Sequence, residues 1–175
     1  MSELGLVSPE MAAIVGQPYG VTHSYPVSAS DIRRWAIAVY HPEPPPAHYL
    51  DPDAEAAGRL VAPLDISVFA WASARTEPNE KAIEVDAKYR AVGAMEQNLG
   101  VPPPELLRAL NGGLVVDYTG VRIRPGDVIR SETVIAQYQE KESRLGPMLV
   151  TDTATTWTNQ AGERIKTATM SLIRY

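Results

Sequence analysis

From Gly113 to Tyr175 the chain is written mostly in residues that favour β-strands. Long segments rich in Val, Ile, Thr, Tyr and Trp are separated by glycine-containing turns, the signature of antiparallel strands. The spacing predicts strands over Leu114 to Tyr118, Asp127 to Lys141, Met148 to Asn159 and Glu163 to Arg174. The expected turns are Arg124-Pro125-Gly126, Arg144-Leu145-Gly146-Pro147 and Asn159-Gln160-Ala161-Gly162. The last strand alternates best, with Ala168, Met170 and Leu172 on one face and Thr167, Thr169 and Ser171 on the other, so its register is well specified.

The N-terminal half reads as helix and loop. Ser28-Ala29-Ser30-Asp31 is a capping-box pattern, in which a serine hydroxyl accepts the third helical N–H and the acidic side chain reaches back. A helix is therefore expected from Ser28 to about Val39. Ile32, Trp35, Ala36 and Val39 would line its buried face, while Arg33 and Arg34 point elsewhere. Asp51-Pro52 followed by Gly58 suggests a second helix of about two turns. Val61 to Trp71, interrupted by Pro63, reads as a short strand or irregular turn, and Arg75 to Glu80 as a loop. Pro104 to Leu110 reads as one more short helix, stopped by Asn111-Gly112-Gly113.

With 175 residues, 45% of them hydrophobic and 21% charged, the chain fits one domain over residues 1–175, with an N-terminal extension of about residues 1–20. The absence of cysteine excludes thiolate catalysis and makes a reducing cytoplasm the natural compartment. A net charge of −5 argues against a general nucleic-acid surface. No run approaches the roughly 20 apolar residues of a membrane span, and the acidic start Met1-Ser2-Glu3-Leu4 lacks a secretory pattern.

The loop His41-Pro42-Glu43-Pro44-Pro45-Pro46-Ala47-His48 is where chemistry is expected. It holds two of the three histidines beside a carboxylate, and its prolines make it stiff, so groups on it keep their geometry at little further entropy cost. His41 is a candidate general base, since neutral imidazole accepts a proton from water near neutral pH. The plainer and commoner reading is that it caps a helix C-terminus, where its charged form is favoured. Glu43 and His48 are a candidate acid/base pair, or simply solvated groups on an exposed loop. Asp127 reads as a turn residue, and Trp35, Trp71 and Trp157 as core. His23 has no partner in sight, and three scattered histidines lack the ligand spacing of a zinc site.

Particular residues carry a family resemblance. These are Leu110-Asn111-Gly112-Gly113, then Arg122-Ile123-Arg124-Pro125-Gly126-Asp127-Val128-Ile129, then Glu140-Lys141-Glu142-Ser143-Arg144-Leu145-Gly146-Pro147-Met148, then Thr158-Asn159-Gln160-Ala161-Gly162-Glu163. Upstream they continue through Ser30-Asp31-Ile32-Arg33-Arg34-Trp35-Ala36 and Val61-Ala62-Pro63. In order and spacing this resembles the MaoC-like dehydratase N-terminal-domain family, the FAS1-like halves of enoyl-thioester hydratases, from about Val21 to Tyr175.

The resemblance implies an α+β hotdog fold, a long antiparallel sheet wrapped around a central helix. It also implies pairing of two such halves, as a homodimer or as a heterodimer with a catalytic MaoC-like half. The implied chemistry is addition of water to a trans-2-enoyl thioester of coenzyme A or acyl carrier protein, or its removal. No cofactor is needed beyond that thioester substrate. Active members carry Asp-x-Asn-x-x-His after the helix. Here His41 falls on the aspartate, Glu43 on the asparagine and Pro46 on the histidine, with His48 two residues further on. Two readings follow: His41, Glu43 and His48 form a substitute site, or this chain is the non-catalytic half that shapes the acyl tunnel. Arg122 and Arg124 are candidates for the phosphates of the pantetheine carrier, or face solvent. A non-enzymatic acyl-thioester or small-ligand binding module is the alternative from another class.

Overall fold

The computed structural model describes residues 4–70, 74–84, 87–89, 92–144 and 146–175. In chain order its elements are α1 (Pro9–Ala13), β1 (Pro18–Ser24), α2 (Ala29–Tyr40), α3 (Ala47–Leu50), β2 (Ala74–Thr76), a 3-10 turn (Ala87–Tyr89), α4 (Ala94–Asn98), β3 (Ala109–Tyr118), β4 (Arg130–Ser143), β5 (Gly146–Thr158) and β6 (Arg164–Arg174). The strands form one antiparallel sheet in the order β2-β1-β4-β5-β6-β3.

One face of this sheet is buried. Along β5 the buried side chains are Leu149, Thr151, Thr153 and Trp157, all on the same side because strand side chains alternate. Two apolar clusters cover that face. Toward Trp157, the helix α2 residues Ile32 and Ala36 pack with Tyr49, Ala54, Leu60, Ile66, Ile129 and Ile165. Toward Leu149, Met11 and Ile14 of the N-terminal segment pack with Met95, Leu99 and Ile135. The stretch set apart above as an extension thus supplies core residues and leads into β1.

The α2 capping box forms as predicted: Asp31 N–H donates to Ser28 Oγ at 3.1 Å and Ser28 N–H to Asp31 Oδ2 at 3.1 Å. Val39 departs from the expected buried face. It is exposed, because the last turn of α2 runs beyond the packed cluster that ends at Ala36.

Three local expectations are corrected. Pro104 to Leu110 is not a helix: residues 101–108 are irregular and β3 begins at Ala109, five residues before the predicted start. Pairing Leu110 with Ile173 and Asn111 with Leu172 outweighs the helical pattern, and the Gly112-Gly113 break is a bulge inside the strand. Asp51 starts no two-turn helix. Its carboxylate takes the Asp53 N–H at 2.9 Å and the Arg59 guanidinium at 2.8 Å, holding a series of turns. Arg75 to Glu80 is not all loop, since β2 pairs with β1 there. His23, which had no partner in the sequence, sits 2.7 Å from Glu77 across that pairing. Trp71 lies outside the described residues, while Trp157 is core and Trp35 packs against the same cluster.

Candidate functional site

The His41 to His48 loop is closed at its base by aromatic packing. His41 caps the C-terminus of α2 and is exposed. Glu43 is exposed too, and its backbone N–H donates to Tyr40 O at 2.9 Å, turning the chain away from the helix. The prolines lead into α3, where His48 is exposed and Tyr49 buried. Tyr40 precedes His41 and Tyr49 follows His48; their ring centroids lie 6.5 Å apart, so the two histidines flank a closed loop. Among the described residues, no hydrogen bond or ion pair joins His41, Glu43 and His48 directly.

Tyr49 is the centre of this region. Its ring stacks on the His48 ring at 4.0 Å between centroids and it belongs to the core cluster around Trp157. Burial raises its hydroxyl pKa, opposed by the neighbouring Arg122 guanidinium, with Tyr40 and Asp65 adding to the rise. Arg33 of α2 reaches the same segment: Nε donates to Tyr49 O at 3.1 Å and Nη2 to Asp51 O at 3.2 Å. Sequence reasoning missed both residues. Tyr49 carries no motif, and Arg33 reads as solvent-facing until α3 is known to lie beside α2.

Arg122 and Arg124 hold protein groups. Arg122 Nε donates to Ala62 O at 3.2 Å, and Arg124 Nη1 to Gly58 O at 2.7 Å, while Asp127 Oδ2 takes the Arg124 N–H at 2.7 Å. Together they pin the 58–62 connection to the turn before β4. On β6, Lys166 lies 3.8 Å above the Trp157 ring, and burial lowers its pKa against the opposing charge of Asp65. Among the described residues no three His, Asp or Glu side chains converge as a metal would require, and no helix is long and apolar enough to cross a membrane.

Among the described residues, no strand neighbours the outer edge of β3. It carries exposed apolar side chains in both directions: Leu114 and Val115 are each 62% exposed, and Leu110 and Tyr118 are exposed as well. A ten-residue edge strand carrying exposed apolar side chains is a template for another strand.

Three solved structures share this architecture. A MaoC-like dehydratase from Rhodospirillum rubrum is 19% identical, with 92% of each chain covered and a TM-score of 0.50. A chain of the ChsH1-ChsH2 complex from Mycobacterium tuberculosis is 17% identical over 98% of this chain and 94% of that one, with a TM-score of 0.56. A further MaoC-like dehydratase is 22% identical over 93% of this chain and 42% of its own length, with a TM-score of 0.53. The fold is the α+β hotdog fold. The family model of the FAS1-like dehydratase domain region matches residues 13–168, and the chain belongs to that family. No curated protein matches the sequence.

Proposed function

We propose that this chain is a subunit of an enoyl-thioester hydratase or 3-hydroxyacyl-thioester dehydratase, acting on an acyl chain carried by coenzyme A or acyl carrier protein. The observation that carries the reading is the stiff loop after α2. In this dehydratase family it presents two imidazoles and a carboxylate to solvent above a buried aromatic support. Hydration needs such groups. A base takes a proton from water as its oxygen bonds to C3, the double-bond pair moves onto the thioester oxygen, and an acid returns a proton to C2. His41 or His48 accepts the proton from water, and Glu43 or the other imidazole supplies the one delivered to C2.

The free β3 edge supports a two-part enzyme in which a second hotdog half adds its sheet alongside, as a homodimer or a heterodimer. One similar structure points the same way in its own description, being a chain of the ChsH1-ChsH2 complex from Mycobacterium tuberculosis. A second reading, in which this chain shapes the acyl tunnel and the partner brings the catalytic groups, is favoured by Pro46, which stands where active members of the family carry histidine, and by the exposure of His41, Glu43 and His48.

Loss of enoyl-thioester absorbance with short and long trans-2-enoyl-coenzyme A separates these readings. Turnover by the chain alone that falls at least tenfold in His48→Ala or His41→Ala, with folding unchanged, places the chemistry on this loop. Turnover appearing only with a second hotdog protein, and indifferent to both variants, assigns this chain the tunnel. Tight acyl-thioester binding without turnover in any combination overturns the enzyme reading in favour of a binding module.

A further inference from the structure

We infer that Tyr49 is the positioning residue of this loop: its ring fixes the orientation of the His48 imidazole, and Arg33 fixes Tyr49. The inference rests on reading His48 as a working group of the loop. Successive helical side chains diverge and do not face one another, yet the His48 and Tyr49 rings approach to 4.0 Å between centroids, tilted by 39°. The two rings are therefore packed together rather than merely adjacent in sequence.

The support is itself buried and bonded in place. Tyr49 is 4% exposed and packs with Ile32, Ala36 and Leu60. Its helix α3 is only four residues long and has no side-chain N-cap, so it would not hold its shape alone. Arg33 supplies the missing restraint from α2 by taking the carbonyls of Tyr49 and Asp51. At the other end of the ring, the Tyr49 hydroxyl faces Arg122, which is itself anchored on Ala62 O. An exposed imidazole on a proline loop would otherwise sample several rotamers, and misplacement of a reacting group by about 1 Å costs on the order of a hundredfold in rate.

The test is the histidine imidazole NMR spectrum of the full chain, with His48 assigned through His48→Gln. In the wild type and Tyr49→Phe, the His48 ring protons carry a ring-current shift. In Tyr49→Leu they move to the position of a free histidine. In the hydration assay, Tyr49→Leu loses tenfold to a hundredfold in kcat, by the same order-of-magnitude estimate, with KM little changed, and Tyr49→Phe recovers most of it. An unshifted His48 resonance in folded Tyr49→Leu overturns the proposal, as does an equal effect of Phe and Leu. Should Tyr49→Leu fail to fold, Arg33→Gln decides: a moved His48 resonance supports the restraint, and an unmoved one overturns it. The spectrum is independent of turnover, so inactivity of the wild type would count against the proposed function while leaving this result standing.

Discussion

Arg174 at the end of β6 and Glu96 in α4 are both fully buried and meet face to face, Nη2 to Oε1 at 2.7 Å and Nη1 to Oε2 at 3.1 Å. Thr151 Oγ1 and Val92 O accept further bonds from the guanidinium, and the Tyr138 hydroxyl donates to Glu96 at 2.9 Å. The network ties α4 to the middle of the sheet. Removing one partner leaves an uncompensated buried charge, which typically costs about 3–5 kcal/mol. Glu96→Gln or Arg174→Met should therefore lower the midpoint of denaturant unfolding strongly, whereas the double replacement Glu96→Leu with Arg174→Met should recover part of the loss. A single variant with wild-type stability would contradict this.

The same cluster sets an alkaline limit. Burial, and then the Glu96 charge, pushes the Tyr19 hydroxyl up to about 12, and the Tyr138 hydroxyl is raised by the same causes in the same order. A group whose pKa is raised in the folded state keeps its stabilising contribution below the ordinary pKa and loses it as pH climbs toward the folded value. Stability should fall between pH of about 10 and about 12, by on the order of 2 kcal/mol for Tyr19. Tyr19→Phe should flatten that slope. Tyrosinate absorbance during titration of the folded protein checks it, and full ionisation by pH of about 10 would contradict it.

An acid limit lies at the other end of the chain. Glu140 receives backbone N–H groups from Leu6 at 2.6 Å and Val7 at 2.9 Å, with Leu4 beside them. The Val7 N–H contributes most to holding its carboxyl below the ordinary range. A depressed carboxyl pKa stabilises above the ordinary value and is lost as pH falls, so the N-terminal segment should loosen first in acid. Protection factors of the Leu6 and Val7 amides, taken against their intrinsic exchange rates at each pH, should fall in acid, and at neutral pH in Glu140→Gln, with those of β5 amides unchanged.

The free β3 edge predicts association. The wild type, alone or mixed with a second hotdog half, should form a species heavier than the 19.1 kDa chain, and Val115→Lys should abolish it, because a charged edge resists strand addition. Light scattering decides. A variant that associates as well as the wild type would place the interface elsewhere.

Much of this architecture was legible because its signals are local. Ser28 and Asp31 start α2 wherever that helix packs, and the alternation of β6 fixes its two faces before any partner strand is known. What was not legible depends on distant groups. Residues 109–113 look like a helix end followed by a turn, yet they are strand because Ile173 lies opposite; a Cβ at Gly112 would come within 3.1 Å of Ile173 and Ser171. Glu96 and Arg174 stand 78 positions apart, and nothing near either one marks its burial. At the candidate site, proline content and histidine spacing drew attention to the loop. The residues beneath it, Tyr49 and Arg33, became visible only once α3 was seen beside α2.

The most direct measurement is to incubate the protein, with and without a second hotdog half, with trans-2-octenoyl-coenzyme A in deuterium oxide and weigh the product. An enzyme of this class yields a 3-hydroxyacyl thioester carrying one deuterium at C2, formed far faster than in buffer. Recovery of unchanged enoyl thioester from well-folded protein in both mixtures, with other acyl lengths giving the same result, would contradict the proposed function.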